Sequence, residues 1–94
     1  MGPLASVEFQ RNLIELTPAR VDQDHIPCLT YSLPQIPCRV SAILDGGPSP
    51  LPTLLIGIDT LERAGVDAIA IPCVTAHYWL DAMNAATPLP IFDM

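Results

Sequence analysis

Apolar residues recur along this chain in three helix-period blocks separated by short runs without helical period. From Pro3 to Leu16, Leu4, Val7, Phe9, Leu13, Ile14 and Leu16 fall mostly three or four residues apart. This spacing predicts a helix with Pro3 in its first turn and Pro18 beyond its end. Leu54, Leu55, Ile58 and Leu61 mark one face of a second helix over about residues 51–64, with Gly65 placed to stop it. A third is expected over 76–86, with Thr75 as its N-cap and Pro88 beyond it. Val40 to Leu44 is long enough for a single helical turn before the break at Asp45-Gly46-Gly47-Pro48.

The runs between the helices read as strands. Ile26 to Ser32 carries Thr30 and Tyr31 with Pro27 at its start, and residues 89–92 form a short apolar run. Residues 67–72, Asp-Ala-Ile-Ala-Ile-Pro, are nearly all apolar, as in a strand covered on both faces of a parallel sheet. Residues 33–39 hold two prolines and are expected to be an extended loop. Helices alternating with strands, joined by right-handed crossovers, predict an α/β layer fold with a parallel sheet.

Composition narrows the partners. The 94 residues give at most one small domain, and their net charge is −6, with arginine at 11, 20, 39 and 63 and no lysine. That balance disfavours nucleic acid and acidic lipid surfaces. No apolar run reaches the roughly 20 residues of a membrane span, so no membrane partner is expected. The first residues show no signal or transit peptide, which places the chain in the cytoplasm. An odd count of three cysteines, Cys28, Cys38 and Cys73, suits free thiols in a reducing compartment.

Chemistry is expected beyond the carboxyl ends of the strands. Cys73 stands there, where 67–72 hands over to a helix whose free N–H groups and dipole favour a thiolate. The residues alone leave open whether it is a reactive thiol or a small apolar filler. Arg39, after the stiff proline loop, is either a carboxylate ligand or a solvated surface arginine. His77, four residues after Cys73, is either a partner of the thiol or a packing residue. Asp22, Asp24, His25 and Cys28 match no zinc or calcium spacing and read as a solvated polar turn, so no metal site is expected.

Several dispersed segments together resemble the aspartate/glutamate racemases. They are Gly2-Pro3-Leu4-Ala5-Ser6-Val7, Thr17-Pro18-Ala19-Arg20, Asp22 to Pro27, Pro34 to Pro37 leading to Arg39, and Ile71-Pro72-Cys73 with Thr75-Ala76-His77-Tyr78. The resemblance spans essentially the whole chain. It implies the N-terminal half of a two-domain protein, lacking the first strand and the second domain: residues 1–94 as one truncated, partial, three-layer parallel-sheet domain. It also implies cofactor-independent racemisation of aspartate or glutamate by two thiols, one from each domain.

By that resemblance Cys73 is the catalytic acid or base, while Arg39, Thr75, Val74 and Gly2 bind the substrate. The implied partners are a small amino-acid substrate and a homodimer mate or complementing C-terminal half. Leu33, Cys38, Val40 and Val74 stand where the family typically carries polar residues. Each change removes a polar group near the site, so a catalytically inactive remnant or binding module is the alternative.

Overall fold

The computed structural model describes residues 1–93. Four α-helices carry it: α1, Pro3–Leu16; α2, Arg39–Leu44; α3, Leu51–Arg63; and α4, Leu80–Ala86. Single turns of 3₁₀ helix occupy Asp22–Asp24, and a longer one runs through Val74–Trp79 into α4. Thus α1 and α3 match the helices predicted from spacing to within a residue.

The core is built on α3. Leu54 and Ile58, one turn apart, are buried against Ile69, Ile71, Ala76 and Met83. Ala76 and Met83 are fully buried, and α3 packs on α4. Gly65 ends α3 with φ +87, where a side chain would be strained. Its N–H donates to the Glu62 carbonyl and that of Val66 to the Leu61 carbonyl. The two bonds close the helix end as a Schellman turn, with Leu61 and Val66 meeting on the core. Thr87, the buried polar residue, locks the return: its hydroxyl donates to Glu62 Oε1 at 2.6 Å and accepts the Leu89 N–H at 3.2 Å.

The parallel sheet is where expectation and structure part. Among the described residues it is reduced to one parallel bridge, Ile69 with Ile91, made by Ile69 N–H to Pro90 O and Phe92 N–H to Ile69 O, each 2.9 Å. Residues 26–32 are exposed and make no ladder. A strand exists only with a neighbour at hydrogen-bonding distance, which a run of apolar and β-branched residues does not itself supply.

The third helix is also corrected. Its first half is 3₁₀, and its N-cap is Cys73 rather than Thr75. Val74 and Thr75 are β-branched, Tyr78 and Trp79 pack edge to face at 4.9 Å, and such residues rank below Ala and Leu in α-helix propensity. The tighter turn is common at the start of an α-helix. No helix among the described residues is long and apolar enough to cross a membrane.

Candidate active site

Cys73 sits where the extended run 67–72 ends, with its own φ of −153 and the 3₁₀ turn beginning at the next residue. Its backbone is pinned on both sides. Cys73 N–H donates to Ile71 O at 2.7 Å, and Cys73 O accepts Ala76 N–H at 3.1 Å. The side chain is half-buried, and Sγ lies 3.4 Å from the Thr75 hydroxyl oxygen.

Arg39, the first residue of α2, comes to the same place because α2 packs on the 3₁₀ turn. One guanidinium nitrogen, Nη1, donates to Pro37 O at 3.1 Å, so the proline loop does hold the head group. Its Nε is buried without a partner. A buried unpaired donor costs about 1–3 kcal/mol, which an incoming carboxylate would recover.

These neighbours set the ionisation of the thiol. Burial pushes the Cys73 pKa up, but hydrogen bonds from the Thr75 hydroxyl and the Ala76 N–H, with the hydrogen bond and charge of Arg39, outweigh it. The result lies below the ordinary thiol value. A depressed folded-state pKa adds stability above the unfolded thiol pKa, and that contribution is lost as pH falls through the folded value. The reactive thiolate correspondingly persists to lower pH than in a free cysteine.

Arg39→Leu is expected to slow iodoacetamide alkylation of Cys73 at pH 7 several-fold and to move its pH profile upward. Alkylation followed by peptide mass spectrometry measures this. An unchanged profile would remove Arg39 from the site.

Three of the expected site residues, Cys73, Arg39 and Thr75, are therefore together. Val74 is 69% exposed, and Gly2 caps α1 at the surface with open space where a Cβ would stand. Neither takes part in the hydrogen bonds around the thiol. His77 binds the main chain rather than the sulfur, with Nδ1 2.9 Å from Cys73 O and Nε2 3.2 Å from Phe92 O. The i, i+4 spacing pointed to the pair, but in the 3₁₀ turn it brings the ring to the carbonyl. Missed altogether were the Ala76 N–H and the Pro37 carbonyl, main-chain groups that no residue type announces.

In the polar turn Asp24 Oδ2 accepts the Arg20 N–H at 3.1 Å, while His25 Nδ1 is buried without a partner. A cleft of about 780 Å³ stops at Pro72 and does not reach Cys73, Arg39 or Thr75.

The family model for Asp/Glu/Hydantoin racemases matches residues 1–94. The chain belongs to this family. Among solved structures, an aspartate racemase of Picrophilus torridus is similar at 35% identity and a TM-score of 0.90. The alignment covers 98% of this chain and 39% of that one. The racemase fold is therefore shared over nearly all of the present residues, which span about two fifths of the length of that racemase.

Proposed function

We propose that this chain supplies one of the two thiols of a cofactor-independent racemase acting on aspartate or glutamate. The observation that carries the reading is the Cys73 sulfur, held between the Thr75 hydroxyl and Arg39 with its pKa lowered. The Cys73 thiolate takes the α-proton, leaving its electron pair on the α-carbon, and a thiol on the opposite face delivers a proton to that carbon. Cys73 ends the step as a thiol, and the opposing group as a thiolate. The reverse reaction exchanges their roles.

Arg39, with its spare Nε, binds a substrate carboxylate. Thr75 and the first N–H groups of the turn, including that of Val74, receive the α-carboxylate, while Gly2 leaves its backbone open to the substrate. The opposing thiol comes from a complementing half or a second copy. The Ile69–Ile91 bridge belongs to the three-layer parallel sheet we assign to the assembled protein. Three free cysteines fit action in the cytoplasm.

The second reading, an inactive remnant or binding module, is favoured by the apolar residues at 33, 38, 40 and 74, of which Val74 is exposed beside the thiol. Substrate protection separates the two. L-aspartate or L-glutamate at ~10 mM is expected to slow alkylation of Cys73 about threefold or more, with no effect at Cys28 or Cys38. Equal rates with and without either amino acid would leave only the second reading.

A further inference from the structure

His77 meets the main chain at the carbonyl of the residue that carries the thiol. Its Nδ1 lies 2.9 Å from Cys73 O and its Nε2 3.2 Å from Phe92 O, so both ring nitrogens face oxygen. Cys73 O has a second neighbour. It accepts the Ala76 N–H at 3.1 Å in the i, i+3 pattern of the 3₁₀ turn, where hydrogen-bond geometry is poorer than in an α-helix. The same Ala76 N–H also serves the Cys73 sulfur, where it helps to lower the thiol pKa. One donor is therefore divided between the oxygen and the sulfur of a single residue.

How that donor is divided depends on what else the oxygen holds. A carbonyl already engaged by the imidazole draws less on Ala76, whose N–H then turns to the sulfur. A hydrogen bond to an ionised acceptor is roughly twice as strong as one between neutral groups, so the diverted N–H favours thiolate over thiol. Of the ring's two contacts the one to Cys73 O is the shorter, which marks Nδ1 as the donor in the neutral ring. Protonation supplies an Nε2–H for Phe92 O as well. The ring is then fixed at its far end, and its bond to Cys73 O gains the strength of a charged donor.

We propose that His77 is a positioning residue for the Cys73 thiol: its ring occupies the Cys73 carbonyl and so releases the Ala76 N–H to the sulfur, most fully when the ring is protonated. The charged and titratable groups on the elements around it are Arg39 on α2, Asp81 on α4, Asp93 beside Phe92, and Tyr78 on its own turn. Among the described residues the ring's hydrogen bonds go to the two carbonyls and to none of these groups. The direction of the linkage follows. As pH rises through the titration of the ring, Phe92 O is released, the sulfur loses part of its N–H, and the remaining ionisation of the thiol is displaced to higher pH. The Cys73 titration is therefore broader than a one-proton curve. The catalytic use of this relay rests on the two-thiol reading above, whereas the relay itself is tested without turnover.

Iodoacetamide alkylation of Cys73 is followed against pH in the full chain and in its His77→Gln and His77→Phe variants, with circular dichroism to check each fold. Glutamine keeps an N–H for the Cys73 carbonyl and does not titrate, while phenylalanine offers no donor. The unsubstituted chain is expected to give the broadened profile. His77→Gln should give a one-proton curve with a rate at pH 7 within about twofold of the unsubstituted chain, and His77→Phe a one-proton curve about threefold or more slower. In the unsubstituted chain the NMR shift of the Ala76 amide proton should follow the titration of the His77 ring, a measurement that needs no variant to fold. Three results would each overturn the proposal: an Ala76 shift indifferent to the ring, a one-proton profile before any substitution, or equal slowing of two folded variants, which would make His77 a packing residue only. Substrate protection of Cys73 is read separately. Its loss with the His77 effects intact would remove the racemase reading and leave the relay standing.

Discussion

Truncating Met83 to alanine is expected to cost this chain about 2–5 kcal/mol, the largest loss of any single substitution outside the active site. Met83 is fully buried on α4, at the point where that helix meets α3. Its removal strips contacts from a core of only seven buried apolar residues among those described, so few neighbours remain to close the gap. Domains of this size have total stabilities near the lower end of about 5–15 kcal/mol. Urea unfolding followed by circular dichroism should therefore show a large fall in midpoint, or no folded baseline at all. A cost under about 1 kcal/mol would mean that α4 is not packed on α3 in solution. Exposed Leu16, at 83% accessible, is the internal control, and its alanine variant should move the midpoint little.

The second large effect concerns stereochemistry. Incubated by itself, the 94-residue chain is expected to leave L-aspartate uninverted, as read by chiral chromatography. In the proposed reaction Cys73 serves one face of the α-carbon, and inversion needs a proton donor on the other. Cys28 and Cys38 are exposed, and neither shares a hydrogen bond with the group around Cys73. Once a complementing half restores turnover, Cys73→Ser should lower kcat by about 10²–10⁴, the usual contribution of a positioned acid or base. D-aspartate produced by the pure chain, or a complemented Cys73→Ser protein of undiminished kcat, would remove the two-thiol reading.

What the sequence discloses divides along the range of the interactions. Helix α3 was legible because Leu54, Ile58 and Leu61 repeat at its own period and Gly65 marks its end, all within fifteen residues. The Cys73 and Thr75 pair was legible for the same reason, two residues apart on one turn. That 26–32 would stay unpaired and 67–72 would keep only the Ile69–Ile91 bridge was not. Their composition states a preference for the extended form, whereas a ladder depends on what lies alongside.

Arg39 stands thirty-four positions before Cys73, and no local period joins them. Family resemblance suggested that encounter, and the packing of α2 on the 3₁₀ turn produces it. The switch from α to 3₁₀ geometry at Val74–Trp79 was hidden because Val74, Thr75, Tyr78 and Trp79 disfavour the α-helix only weakly. That switch decided which atom His77 would reach.

The imidazole of His77 has an effect beyond the turn it stabilises. Its ring stands between the carbonyls of Cys73 and Phe92, so it props the thiol's peptide unit against the residues around Phe92. A neutral ring has a single N–H, so only one of these carbonyls can hold it as acceptor at a time. Whatever drags on the residues around Phe92, a fused tag or a docked neighbour, will tug at the peptide that carries the sulfur.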